Sequence, residues 1–144
     1  MNYNKIIVYT DGGARGNPGP AAVGVVIEGD GKFVVKFGKR IGASTNNTAE
    51  YTGVIEAFNY LIKQGSRGEV IEVLMDSLLV VQQLSGKFKI KQPHLKKLWT
   101  EVKASEKKVG ERVVYVHIPR EKNKEADRLV NEVLDKEPGG SDLA

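Results

Sequence analysis

Cysteine is absent from the 144-residue chain, which excludes a disulfide framework, a thiolate-held metal and a cysteine nucleophile. Any metal must then be held by carboxylates, imidazoles or backbone oxygens, and a reducing compartment is compatible with this composition. Long hydrophobic runs are also missing. None approaches the roughly 18 residues of a membrane-spanning helix, and Met1 to Lys5 leads into a short strand-like run rather than the apolar core of a signal peptide. The expected location is the cytoplasm, with no membrane contact. Hydrophobic residues at 40% and charged residues at 28% are ordinary for a folded globular chain and argue against disorder. The length suits one domain, taken as residues 1–137, with a flexible tail over 138–144.

The net charge of +4 is small but unevenly spread. Ser85 to Lys124 holds twelve Lys or Arg against four Asp or Glu, a local balance of +8, so the rest of the chain sums to −4. A segment of this kind suits a polyanionic partner; a solvated lysine-rich helix face gives the same pattern.

Three strands are expected first, over Lys5–Thr10, Ala21–Glu28 and Lys32–Ile41, joined by glycine-rich turns into an antiparallel meander. From Thr48 to Gln64 the apolar residues Tyr51, Val54, Ile55, Phe58, Leu61 and Ile62 follow the spacing of a helix with one buried face, and Gly65 supplies its stop. Val70–Met75 then reads as a strand and Ser77–Leu84 as a short helix. Leu95, Leu98, Trp99 and Val102 mark a further helix after Pro93, with Trp99 in the core and His94 on the surface. Arg112–Ile118 is the fifth strand, and Ala126, Leu129, Val130, Val133 and Leu134 lie on a last helix. The expected fold is mixed α/β, one five-stranded sheet with helices on its faces. The fourth strand should return parallel to the first, because a connection through a helix is too long for a hairpin.

Four acids stand where solubility does not require them. Asp11 ends the first strand and Asp76 the fourth, so parallel neighbours would bring both to the same carboxyl-terminal edge of the sheet. Glu50 lies in the first turn of the long helix beside Tyr51, and Asp127 flanks the buried stripe of the last helix. Carboxylates brought together repel one another and hold protons more tightly unless cations neutralise them. Oxygen ligands alone favour a hard ion such as Mg2+ or Mn2+ over zinc. Two such ions about 4 Å apart can activate a water and stabilise the leaving oxygen of a phosphodiester. Each acid also has an ordinary reading as a turn or helix-end residue, and it is the set of four that points to phosphoryl transfer on nucleic acid.

The surrounding residues carry a resemblance. Thr10-Asp11-Gly12-Gly13-Ala14-Arg15-Gly16-Asn17-Pro18-Gly19-Pro20, Thr45-Asn46-Asn47-Thr48-Ala49-Glu50, Asp76-Ser77 and Asn123-Lys124-Glu125-Ala126-Asp127 resemble, in order, the four motif blocks of type 1 ribonuclease H. The resemblance implies the ribonuclease H-like fold, with three antiparallel and then two parallel strands. It also implies metal-dependent endonucleolytic hydrolysis of the RNA strand of RNA/DNA hybrids, leaving 5′-phosphate and 3′-hydroxyl ends. It makes Asp11, Glu50, Asp76 and Asp127 the catalytic, metal-binding acids, with Mg2+ as the expected ion and Mn2+ as a substitute. A monomer without an obligate protein partner is expected. Two other readings stay open, a nucleic-acid-binding module of the same fold without catalysis and a nuclease that also cuts double-stranded RNA.

Gly12 and Gly13 leave room for a nucleic-acid backbone, and the turn around Gly16, Pro18, Gly19 and Pro20 presents Asn17. Amides of Asn17, Asn46 and Asn47 can read 2′-hydroxyls without reading sequence; Asn47 or Thr48 also suits a helix cap. The chain departs from the family pattern in three places. His117 belongs to the fifth strand rather than to a flexible loop, which leaves Arg120 or Glu121 nearest the loop position. Leu78 follows Asp76-Ser77 where many relatives carry a polar residue. The long basic insertion of some relatives is replaced by Ser85–Pro93, where Lys87, Lys89 and Lys91 alternate with Phe88 and Ile90. The lysines are expected to meet phosphates while the apolar pair packs inward, with a solvated connector as the alternative.

Overall fold

The computed structural model describes residues 1–136; the expected tail over 138–144 and the boundary at 137 lie outside the described residues. Strands β1 (Asn2–Ala14), β2 (Gly19–Gly29) and β3 (Lys32–Ser44) form the antiparallel meander. Helix α1 (Asn46–Gln64) crosses over to β4 (Arg67–Met75), which lies parallel to β1. Helices α2 (Leu78–Leu84) and α3 (Pro93–Val109) lead to β5 (Gly110–His117), parallel to β4. A single 3-10 turn over Arg120–Lys122 precedes α4 (Lys124–Asp135). The sheet order is β3-β2-β1-β4-β5, the expected mixed five-stranded sheet.

The β-branched residues of β2 explain its interior place between β3 and β1. Val23, Val25 and Ile27 alternate with Ala22, Gly24 and Val26, and all six are buried, so both faces of this strand are covered. On one face, Tyr51, Val54, Ala57, Phe58 and Leu61 of α1 share a core with Ile6, Val8, Ile71 and Val73 from the strands. Val80, Leu84, Leu95, Val102 and Val109 from α2 and α3 complete it. Burying one such large side chain contributes about 1.5–3 kcal/mol, so this face supplies most of the apolar drive. Trp99 is half-buried against it, its Nε1 donating to the Gln83 carbonyl at 3.2 Å. His94 is exposed, as expected.

The other face carries α4, which lies directly on the sheet backbone. A Cβ at Gly24 would stand 2.1 Å from the Ala126 carbonyl oxygen, and one at Gly38 would stand 2.7 Å from Val133 Cγ2. Both glycines are thus demanded by the approach of this helix, and with it the depth at which Asp127 sits.

Helix α1 starts two residues earlier than the apolar periodicity indicated, and its cap is neither Asn47 nor Thr48. Thr45 is the N-cap, its hydroxyl oxygen accepting from the Thr48 backbone N–H at 3.2 Å. Glu50 therefore falls in the second turn, not the first. Gly65 ends the helix at φ 66°, donating to the carbonyls of Leu61 and Ile62.

Candidate active site

Strand β1 is longer than its apolar run and does not end at Asp11. Its parallel pairing with β4 stops at Tyr9 opposite Leu74, while its antiparallel pairing with β2 continues through Asp11 to Ala14. The strands thus part like a fork. Asp11 leaves one tine and Asp76 the end of the other, which preserves the expected juxtaposition for a different reason. Across the fork stands α1, whose Glu50 accepts from the Gly12 backbone N–H through Oε1 at 2.7 Å.

Oxygens of Asp11, Glu50 and Asp76 lie within 4.8 Å of one another. Asp127 stands outside this trio but lines the same cleft, near enough to Asp11 to raise its carboxyl. Asp11 and Glu50 are buried and Asp76 and Asp127 half-buried. Burial, then the charge of Asp76, then the hydrogen bond and charge of Asp127 push the Asp11 carboxyl up to about 7; the Gly12 N–H pulls the other way. Burial, followed by the charges of Asp11 and Asp76, likewise holds the Glu50 carboxyl well above the usual carboxylate range. A set of hard oxygen donors this crowded is one that a divalent cation would neutralise, and the residues fit Mg2+ or Mn2+ better than a softer ion.

The acids open into a cleft of about 420 Å³ lined also by Gly12, Gly13, Asn46, Asn47, Ser77 and Arg120. Asn17 is not among the lining residues. Its Oδ1 accepts from the Asn46 backbone N–H at 2.9 Å, and Asn46 Oδ1 accepts from Ala14 N–H at 2.9 Å, so the pair ties the 15–19 turn to the start of α1. Gly12 has a packing reason for lacking a side chain, since a Cβ there would stand 2.3 Å from the carbonyl carbon and oxygen of Ala49. Gly13 faces Val130 with ordinary room, 3.6 Å.

Arg120 lies in the cleft lining and His117 does not; the latter ends β5 exposed, in agreement with its assignment as a strand residue. Leu78 is exposed immediately beyond Ser77, which caps α2. The expectation for Phe88 fails. The ring is 52% exposed, because Ser85–Gln92 is irregular chain, a turn and bends rather than a strand, and its alternation therefore assigns no faces. Ile90 does pack against the core, and Lys87, Lys89 and Lys91 are exposed.

Sequence reasoning missed Asn123 as an individual. The residue is 1% exposed, and its Nδ2 donates to the Thr10 carbonyl at 3.0 Å and reaches Asp76 Oδ2 at 3.5 Å. Its signal in the sequence was its place at the head of the fourth motif block, Asn123 to Asp127, in which only Asp127 was given a role. The side chain makes no capping bond.

The forked mixed sheet with acids at the fork defines a mixed α/β domain, and a family model described as reverse transcriptase-like matches residues 9–133. A bifunctional protein of Mycobacterium tuberculosis is 43% identical over 133 residues, which cover 91% of this chain and 36% of that protein. The chain thus spans about a third of the length of the mycobacterial relatives that it matches. A ribonuclease H of Clostridium botulinum is 31% identical over 92% of this chain and 97% of its own. Among solved structures, LC11-RNase H1 in complex with RNA/DNA hybrid superposes with a TM-score of 0.85 at 46% identity, covering 90% of this chain and 96% of that one. The chain belongs to the type 1 ribonuclease H family, in the form whose α2–α3 connection is short.

Proposed function

We propose that the protein hydrolyses the RNA strand of RNA/DNA hybrids endonucleolytically, with two divalent ions held by Asp11, Glu50, Asp76 and Asp127. The observation that carries this reading is the convergence of three carboxylates within 4.8 Å, with Asp127 against Asp11, at the edge of an open cleft. Mg2+ is the expected ion and Mn2+ its substitute. When bound, such ions supply a nucleophilic water at neutral pH and a clamp on the leaving oxygen of an in-line displacement, the route that leaves 5′-phosphate and 3′-hydroxyl ends.

The chain's own groups hold the substrate and the carboxylates in place. Glu50 is fixed by the Gly12 N–H, so its free oxygen faces the cleft partners rather than rotating. Asn46 and Asn47 reach the cleft with carboxamides suited to ribose 2′-hydroxyls, and Gly12 and Gly13 keep that wall low. Asn17 acts through its latch on Asn46. Arg120 sets a fixed positive charge in the same cleft, where it can pair with a phosphate. Lys87, Lys89 and Lys91 extend the positive surface beyond the cleft. A relative of 46% identity solved with a hybrid supports this substrate. The proposal keeps residues 1–137 as a monomeric domain acting in the cytoplasm, which suits a chain without cysteine.

The test is cleavage of end-labelled RNA/DNA hybrid, double-stranded RNA and double-stranded DNA with Mg2+, Mn2+ or chelator. Asp11→Asn and Asp76→Asn proteins run alongside. Metal-dependent cutting of the hybrid's RNA strand alone, absent from both variants, is expected. Salt-dependent hybrid binding without any cleavage would leave the binding-module reading in its place, and cleavage of double-stranded RNA would widen the substrate class.

A further inference from the structure

We propose that Asn123 is a positioning residue of the acidic cluster, its side-chain amide filling the fork between β1 and β4 and holding the Asp76 carboxylate in its working orientation. The inference rests on the reading of this cluster as a divalent-metal centre.

The fork creates the need. Beyond Tyr9 opposite Leu74, β1 has no β4 partner, so the Thr10 carbonyl loses its neighbour inside the protein. An unpaired buried carbonyl costs free energy comparable to a lost hydrogen bond. Asn123 Nδ2 donates to that carbonyl at 3.0 Å and extends to Asp76 Oδ2 at 3.5 Å. An amide nitrogen has two hydrogens, and both are used here, one on each tine of the fork.

The orientation of the amide shows which function governs it. Asn123 stands at the N-cap of α4, where a side-chain oxygen would ordinarily accept from the first turn of the helix. Instead, no cap bond forms, and Oδ1 is buried without a hydrogen-bond partner. Reversing the amide would set Oδ1 against two acceptors, the Thr10 carbonyl and the Asp76 carboxylate. The residue gives up the cap and leaves its own acceptor unsatisfied in order to donate to both tines.

Its backbone ties the remaining cleft residues to the same point. The Asn123 carbonyl accepts from the Asp127 N–H at 3.1 Å, and its N–H donates to the Arg120 carbonyl at 2.9 Å. A displacement of Asn123 therefore moves Asp76, Asp127 and Arg120 together. Hydrogen bonds to metal-holding carboxylates from residues behind them change metal affinity by about 10–100-fold when removed.

Asn123→Leu, close to it in shape but without the donor, and Asn123→Ala, which likewise removes the donor without adding charge, test the role. Mn2+ binding is measured by titration calorimetry on protein verified as folded by near-ultraviolet dichroism, beside urea midpoints and the Mg2+ dependence of hybrid cleavage. The expected result is Mn2+ binding about tenfold or more weaker in both variants, with a matching rise in the Mg2+ needed for half-maximal cleavage. A residue that only supports the fold would lower the urea midpoint and leave the Mn2+ dissociation constant of the folded protein unchanged, and that result overturns the proposal. Wild-type protein that neither binds Mn2+ nor cuts hybrid would overturn instead the nuclease reading beneath it.

Discussion

The Gly12 backbone N–H donates to Glu50 Oε1 at 2.7 Å, and the same glycine leaves the space in which the Ala49–Glu50 peptide sits, 2.3–2.6 Å from where a Cβ would be. One residue thus both admits α1 to the sheet and aims the acid that the helix carries. Gly12→Ala should force α1 outward, costing about 1–3 kcal/mol of stability or more and displacing Glu50. Urea unfolding together with hybrid cleavage checks this. Gly13→Ala meets only Val130 Cγ1 at 3.6 Å, so its stability should stay within about 0.5 kcal/mol of wild type, and any rise in KM would report contact with substrate. A Gly12→Ala protein as stable and active as the parent would refute the packing account.

Stability of the metal-free protein should fall as pH rises through neutrality. Asp11 titrates at about 7 in the folded protein against an ordinary value of 3.8, and Glu50 is raised in the same sense. The folded state therefore holds protons more tightly than the unfolded chain. The stability this contributes is fully present below the ordinary value and is lost as pH climbs through the folded one. Between about pH 5.5 and 8.5 the loss should be on the order of 1–3 kcal/mol by urea unfolding in chelator. Saturating Mg2+ should restore more stability at the upper end than at the lower, because ligands must be deprotonated to bind. A profile that is flat or rising in chelator would contradict the crowding of the acids.

Removing one charge from the cluster should separate stability from activity. Asp11 carries the repulsion of both Asp76 and Asp127, so Asp11→Asn is expected to raise metal-free stability at pH 8 by about 1–2 kcal/mol. The same change should reduce hybrid cleavage by about a thousandfold or more, since a metal-holding oxygen is lost. Thermal unfolding in chelator and single-turnover cleavage give the two readings. An Asp11→Asn protein less stable than wild type without metal would mean that the acid is held by favourable contacts rather than crowded.

Much of this site was legible in the residues because its parts are local. The acids fall beside strands and helices whose patterns are plain, and the short apolar run Val70–Met75 and the helical spacing at Tyr51–Leu61 place Asp76 and Glu50 without tertiary information. What could not be read depends on contacts distant in sequence. The fork that frees Asp11 arises from β1 keeping β2 while losing β4. The need for glycine at positions 12, 24 and 38 comes from α1 and α4, not from turns. Asn123 reaches across to Thr10 and Asp76, where the sequence showed only its place in the last motif block. Phe88 departs for the opposite reason: the lysines and apolar residues of Ser85–Pro93 alternate in sequence, but the stretch before α3 forms no strand and so has no faces to alternate between.

Lys87, Lys89 and Lys91 are exposed, and no described salt bridge involves them. If they meet phosphates, each such pairing releases counterions, so the logarithm of hybrid affinity should fall with the logarithm of salt more shallowly once they are replaced. The triple change to Ala should flatten that slope by about one for each phosphate that a lysine no longer neutralises. It should also weaken binding equally across hybrid sequences, while the saturated cleavage rate holds because no metal-holding group is touched. Filter binding of hybrids in Ca2+ across a salt series would measure this. Unchanged slopes would identify the connector as a solvated loop and leave Arg120, already in the cleft, as the cation with the stronger claim on the substrate backbone.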